Sequence, residues 1–223
     1  MSLTIIIPVL DEAATLPAQL VRLAPLRSRG ADVIVVDGGS RDGTPGIAAG
    51  AGVRQLTSPR GRAVQMNAGA AVAAPGTWLF LHSDTALPPD ADRLVDSALA
   101  RGRVWGRFDV RIDGRPAMLR IVAAMMNRRS ALTGIATGDQ AIFVTSDVFE
   151  RVGGYPEQPL MEDVELSRRL RRLSRPARIR VPVVTSGRRW ESRGVWRTIA
   201  LMWWLRWRYW RGTPADVLAR SYR

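Results

Sequence analysis

The sequence contains no cysteine and no lysine, and its single histidine is His82. Without cysteine, the protein has no disulfide framework, no thiolate metal site and no cysteine nucleophile. Because lysine is missing, all 33 basic residues are arginines, and the formal net charge is +13. The planar guanidinium donates paired hydrogen bonds to phosphate and carboxylate groups. This excess is compatible with nucleic acid, an anionic lipid surface or a polyanionic small substrate.

The sequence also lacks a long hydrophobic run. The most apolar late segment, Thr198–Leu205, is closed by Arg206, well short of the roughly twenty residues that a spanning helix needs. Residues Met1–Pro8 are apolar but carry no basic leader, and they run directly into Asp11. We therefore expect neither a spanning helix nor a signal peptide. These features favour a cytoplasmic protein, with peripheral contact to the inner face of the cell membrane left open.

The first hundred residues alternate short β-rich runs with helical patterns, as in βαβ units. With 46% hydrophobic residues, a chain of 223 residues can bury one sizeable core. The predicted strands are continuously apolar, which indicates a mainly parallel, Rossmann-like sheet covered by helices on both faces. The predicted strands are Thr4–Pro8, Val33–Asp37 and Trp78–Leu81, and the predicted helices are Leu16–Arg29, Arg62–Ala74 and Ala91–Ala100.

Polar residues follow each of these three strands. Asp11 comes after the first, Asp37–Ser40 after the second, and His82–Ser83–Asp84 after the third. Ligands of open α/β sheets bind at the carboxyl ends of the strands. We therefore expect the three clusters to meet at one edge of the sheet, where the binding site should lie.

The pattern changes after residue 100, where alternating strands and further helices follow one another. We predict one α/β domain over residues 1–190, with a nucleotide-binding half (1–100) and an acceptor half (101–190). Residues 191–223 are predicted to form an amphipathic helical extension. The predicted strands of this region are Val104–Ile112, Gln140–Thr145 and Arg178–Val184, and its predicted helices are Met118–Arg129, Asp163–Leu173 and Val195–Trp210.

Three short segments contain residues suited to chemistry on a nucleotide. Asp37 precedes a glycine-rich turn, which lets backbone amides approach a diphosphate, although many α/β proteins have such a turn only to reverse the chain. Asp84 can hold Mg²⁺ or Mn²⁺, or serve merely as a turn residue. Asp163 can act as a base, or only complement the dipole of the helix it begins.

Taken together, these segments resemble the inverting family-2 glycosyltransferases, which have the GT-A fold. The similarity runs from Ile5 through Trp190 and rests on Ile7–Glu12, Val36–Thr44 and His82–Ser83–Asp84. His82 departs from the usual metal motif, in which an aspartate is common at that place. Within the family, Leu81–Thr85 and Thr137–Gln140 are similar to a small bacterial subgroup associated with radical-SAM proteins and arsenosugar biosynthesis.

The resemblance implies a transfer of sugar from a UDP- or GDP-linked donor to an acceptor hydroxyl, with Mg²⁺ or Mn²⁺ as the cofactor. It implies that Asp84 binds the metal and that Asp163 deprotonates the acceptor. The donor-binding residues that it implies are Pro8, Asp11, Asp37, Arg62, Asp139, Arg189 and Trp190. A sugar-1-phosphate nucleotidyltransferase, or an arginine-rich binding protein without catalysis, remains the alternative.

Six of the eight tryptophans lie between Trp190 and Trp210, interleaved with arginines. Helical spacing places Trp196, Ile199 and Trp203 on one broad face, with Trp207 or Trp210. Such a helix can pack on the catalytic domain, form a homodimer or lie in a bilayer interface. Its composition does not distinguish these three partners, and we expect nucleic acid not to be one.

Overall fold

The computed structural model describes residues 2–222, and eight strands of this part of the chain form one mixed sheet. Their order across the sheet is β3-β2-β1-β4-β7-β6-β8-β5. Strands β1 to β4 are parallel to one another, as are β6 and β8, whereas β7 runs antiparallel to both β4 and β6. The strands are β1 (Leu3–Val9), β2 (Asp32–Asp37), β3 (Arg54–Thr57), β4 (Thr77–Phe80), β5 (Thr85–Ala86), β6 (Trp105–Asp113), β7 (Phe143–Thr145) and β8 (Ala177–Ser186).

Helices cover both faces of the sheet, because successive side chains of an apolar strand point to opposite sides. Ile5 and Ile7 of β1 pack in one core cluster, and Ile6 packs in the other. The predicted single α/β domain with a doubly covered sheet is therefore confirmed. The helices are α1 (Leu16–Ser28), α2 (Thr44–Gly50), α3 (Arg62–Val72), α4 (Ala91–Leu99), α5 (Met118–Thr133), α6 (Ser146–Arg151), α7 (Glu162–Leu173), α8 (Arg188–Arg193), α9 (Val195–Trp210) and α10 (Ala215–Tyr222).

One predicted strand is shorter than expected. The segment Gln140–Thr145 is extended only from Phe143, because residues Gly138–Gln140 form a 3₁₀ turn and Ala141 takes a left-handed backbone conformation with φ of 46°. The turn is closed by a reciprocal pair of contacts between Thr137 and Gln140. The first three residues of the predicted strand, Gln140 to Ile142, therefore lie outside it.

The C-terminal helices pack against the rest of the chain through one face only. Leu205 of α9 and Leu218 of α10 are buried in a cluster with Leu160 and Met161. Helix α8 spans residue 190, at which we divided the chain, and that division stays a prediction. Within residues 2–222, no helix has the length and apolar character needed to cross a membrane.

Candidate functional site

A cavity of about 770 Å³ opens at the carboxyl ends of β1 and β4. These strands are neighbours in the sheet. The chain continues from β1 to β2 on one side and from β4 to strands on the other side, so the gap between β1 and β4 is the topological switch point. Seven of the nine residues implied as site residues line this cavity. They are Pro8, Arg62, Asp84, Asp139, Asp163, Arg189 and Trp190.

Asp11 and Asp37 are not among the lining residues, and both carboxylates bind the loop that follows β2. Asp37, buried to 4% exposure, accepts the backbone N–H groups of Gly39 (3.1 Å) and Ser40 (3.0 Å) and the Ser40 hydroxyl. Asp11 accepts the N–H of Arg41 at 2.8 Å. The two aspartates thus shape the loop, and their direct contact with a nucleoside stays a prediction.

Gln65 of α3 bridges the carboxyl ends of β1 and β2. Its side-chain amide donates to the backbone carbonyls of Val9 and Val36, each at 2.8 Å, where both strands end. A Cβ on Gly38 would lie 3.0 Å from the same amide, so a small residue is needed there. Gln65 therefore couples the helix that carries Arg62 to the floor of the cavity.

Arg62 lies among the carboxylates of the cavity. Its guanidinium is 3.5 Å from Glu162, which is only 3% exposed. Burial lowers the pKa of Arg62, but Glu162, Asp163, Asp139 and Asp84 outweigh burial and raise it above its ordinary value. Burial, with a contribution from Asp163, raises the pKa of Glu162. Arg62 is therefore a permanent cation at the centre of the site.

Asp163 is held in the first turn of α7 by two backbone N–H groups. Its oxygens accept from Gly138 at 2.8 Å and from Val164 at 2.7 Å. The preceding Met161 has a left-handed φ of 65°, an unusual conformation for a residue with a side chain. The N–H of Gly138 ties α7 to the 3₁₀ turn, and the carboxylate is oriented before any ligand binds.

His82 and Asp139 form a second fixed pair. The His82 Nδ1 lies 3.3 Å from an Asp139 oxygen. The ring packs so closely on Gly138 that a Cβ there would overlap it. Burial raises the pKa of Asp139, but the hydrogen bond and charge of His82, with Arg62 and Arg189, lower it overall. His82 therefore orients Asp139, and it lies two residues before Asp84 without supplying a carboxylate there.

Asp84 is suited to share a metal ion with a diphosphate. Within residues 2–222, the only hydrogen bond to its carboxylate is a long one from the Thr85 hydroxyl at 3.4 Å, which leaves oxygens for a ligand. Among residues 2–222, no group of three or more acidic, histidine or cysteine side chains could hold a metal by itself. Mg²⁺ commonly binds one or two carboxylates together with substrate phosphates, and this set of donors fits that arrangement.

Arg206, a lining residue that the motifs did not identify, reaches the cavity from α9. It lies one helical turn from Met202, which also lines the cavity. The four-residue spacing of Thr198, Met202 and Arg206 could have indicated that one face of α9 lines the cavity. Trp190 and Ile199 pack at the edge of a cluster around Leu119.

Several solved structures share this fold at low sequence identity. Residues 1–349 of S. aureus TarS in complex with UDP-GlcNAc match with a TM-score of 0.66 and 15% identity, over 83% of this chain and 58% of that one. Glucosyl-3-phosphoglycerate synthase from Mycobacterium tuberculosis in complex with Mg²⁺ and UDP matches with a TM-score of 0.61 and 20% identity, over 83% and 69%. Mannosyltransferase PcManGT from Pyrobaculum calidifontis in complex with GDP-Man and Mn²⁺ matches with a TM-score of 0.62 and 22% identity, over 82% and 56%.

The chain spans about 60% of the length of the TarS 1–349 structures. No curated protein matches its sequence. The family model described as glycosyl transferase family 2 matches residues 4–149, which is more than half of the chain. This region holds β1, β2, β4 and the 3₁₀ turn, and therefore about half of the polar residues that line the cavity. The chain belongs to glycosyl transferase family 2.

Proposed function

We propose that the protein is a metal-dependent, inverting glycosyltransferase that moves a sugar from a UDP- or GDP-linked donor to an acceptor hydroxyl. The observation that carries the proposal is the common cavity of Asp84, Asp163 and Arg62 at the switch point of a family-2 chain. UDP, UDP-GlcNAc and GDP-Man are bound by proteins of similar fold. The similarity of Leu81–Thr85 and Thr137–Gln140 also supports placement in the radical-SAM-associated subgroup.

On this proposal, donor and acceptor occupy different walls of the cavity. Arg62, Arg189 and the carboxylate of Asp84 face the diphosphate, and a metal bound there would neutralise charge on the departing nucleoside diphosphate. Asp139, held by His82, accepts hydrogen bonds from hydroxyls of the donor sugar. Pro8 and the loop shaped by Asp37 receive the nucleoside.

Asp163 supplies the base. Its carboxylate takes the proton of the acceptor hydroxyl while the oxygen attacks the anomeric carbon and the bond to the diphosphate breaks. A single displacement from the side opposite the leaving group inverts that carbon. The two N–H groups that hold Asp163 keep one orientation for this step.

Ligand-dependent thermal stability tests the proposal and identifies the donor. We expect one UDP- or GDP-sugar to raise the melting temperature when Mg²⁺ or Mn²⁺ is present, and much less in EDTA, because a ligand that binds only the native state stabilises it. At one hundred times the Kd the stabilisation is about 2.7 kcal/mol. A panel of nucleotide sugars that leaves the melting temperature unchanged would contradict the proposal. Pyrophosphate release from a nucleoside triphosphate would favour the nucleotidyltransferase instead.

The outer face of α9 favours a membrane surface as a further partner. Trp196 (71% exposed), Trp203 (63%) and Trp210 (81%) lie on the side away from Leu205. Arg211 stands over the Trp207 ring at 5.5 Å, so cations accompany the exposed indoles. Indole rings at headgroup depth with arginines on anionic lipid are typical of an interfacial helix. We propose peripheral binding to anionic bilayers, with a homodimer through α9 as the alternative.

Removing two indoles should weaken this binding. We expect Trp203→Ser combined with Trp207→Ser to reduce co-sedimentation with phosphatidylglycerol vesicles at least about tenfold, since each loss of about 1.4 kcal/mol is a factor of ten. Val21→Ser, which changes a side chain 73% exposed on α1, is the matched control. Unchanged co-sedimentation of the double variant would refute the membrane contact. A concentration-dependent dimer that the double variant loses would support the homodimer.

A further inference from the structure

The side chains of Arg206 on α9 and Arg129 on α5 have no hydrogen-bond or ion-pair partner among residues 2–222. Within residues 2–222, the side chain of Arg206 makes no hydrogen bond or ion pair, although it lines the cavity. Arg129 has Nε and Nη2 buried without an acceptor. Burial, followed by the charge of Arg206, lowers the pKa of Arg129 to about 9. Both guanidiniums thus lie close enough to repel each other.

Several other arginines have a carboxylate partner. Arg107, 1% exposed, contacts Asp109, and Arg178 reaches the same carboxylate at 2.8 Å. Arg62 has Glu162. Burying two guanidinium nitrogens of Arg129 without an acceptor costs free energy, so this arrangement needs a reason. A ligand with a negative charge would explain this arrangement, because it would supply the missing acceptor.

Packing places Arg206 on the acceptor side of the cavity. The adjacent Leu205 is buried in a cluster with Met161, and Met161 lies two residues before Asp163 at the start of α7. The carboxylates that raise the pKa of Arg206 against burial are Asp163 and Asp139. The carboxylates that act on Arg189 are Asp139 and Asp84, on the metal side. Arg206 therefore lies beside the start of α7, whose first turn holds the proposed base. Met126, Met202 and Leu205 line the same wall, and their apolar surface strengthens a charged hydrogen bond.

We infer that Arg206 forms an anion subsite in the cavity, supported by the positive charge of Arg129, and that this subsite binds a phosphate or carboxylate group carried by the acceptor. The inference rests on the proposed glycosyl transfer and specifies its acceptor as an anionic compound. The planar guanidinium of Arg206 would grip two oxygens of the anion and bring a nearby hydroxyl to Asp163. Binding would also provide the counter-charge that Arg129 lacks.

The test uses inorganic phosphate as the probe on protein already saturated with UDP and Mg²⁺, so that the diphosphate side is filled. We expect phosphate to raise the melting temperature further, and its apparent affinity to fall about tenfold in Arg206→Gln and in Arg129→Gln. Arg206→Lys keeps the positive charge but not the paired N–H donors of the guanidinium, and it should therefore bind phosphate more tightly than Arg206→Gln. Arg197→Gln, on the exposed side of the same helix, is the matched control and should bind phosphate normally.

A second ligand distinguishes a lipid headgroup from a soluble compound as the source of the anion. A short-chain phosphatidic acid that binds more tightly than phosphate, and loses this advantage in Arg206→Gln, would assign a lipid headgroup. Equal affinities would assign a soluble phosphate compound. The inference fails if UDP with Mg²⁺ stabilises the protein but phosphate binds equally well to wild type and Arg206→Gln, or binds neither. If UDP with Mg²⁺ gives no stabilisation at all, the proposed transferase function fails first.

Discussion

Asp163→Asn should lower the rate of sugar transfer at least about a hundredfold while leaving the donor bound, since a positioned general base contributes about 10²- to 10⁴-fold. The amide has nearly the shape of the carboxylate but cannot take the proton of the acceptor hydroxyl. It also keeps only one oxygen for the two N–H groups that now hold Asp163. Release of nucleoside diphosphate in the presence of acceptor measures the rate, and melting with UDP and Mg²⁺ measures donor binding.

Glu165→Gln is the control for this variant. Glu165 lies in the same first turn of α7 but pairs with Arg168 and Arg169 and does not line the cavity. Its neutralisation removes a comparable charge near the helix N-terminus without touching the proposed base. Near-normal turnover in Asp163→Asn would contradict the assignment, and an equal loss in Glu165→Gln would attribute the effect to the helix dipole.

Most of the sheet was predictable because its central strands are apolar in unbroken runs. Helix α9 begins and ends at the predicted residues, Val195 and Trp210, since a glycine precedes it and its apolar spacing is regular. The short elements β3 and β5 were missed. Each has few residues, and β5 is extended because it pairs with β8, which is distant in sequence.

Site residues that directly follow a strand could be predicted from the sequence. Site residues that distant segments of the chain bring together were harder to predict. Asp84 and Asp139 line the cavity that the pattern of strand ends predicted. The orientation of Asp37 toward its own loop depends on hydrogen bonds that no motif reveals. Arg206 reaches the cavity only because α9 folds back onto α5 and α7, a tertiary contact that helix spacing alone does not determine.

Asp84→Ala should abolish the contribution of metal to nucleotide binding. In the wild type we expect Mg²⁺ or Mn²⁺ to strengthen UDP or GDP binding, because the ion joins the carboxylate of Asp84 to the diphosphate oxygens. The variant loses the one protein oxygen donor assigned to the ion and leaves Arg62 and Arg189 to bind the diphosphate. Its nucleotide affinity with metal should therefore fall at least about tenfold, to the value that the wild type shows in EDTA.

Asp147→Ala provides the comparison for this loss. Asp147 is an exposed aspartate at the start of α6, where the neighbouring Ser146 bonds the Gly76 carbonyl at the opposite end of β4 from Asp84. Its removal changes the net charge equally but should leave the metal effect intact. Nucleotide binding that keeps its full metal dependence in Asp84→Ala would remove Asp84 as the ligand. It would also shift attention to Asp139 and His82, which stand beside it in the same cavity.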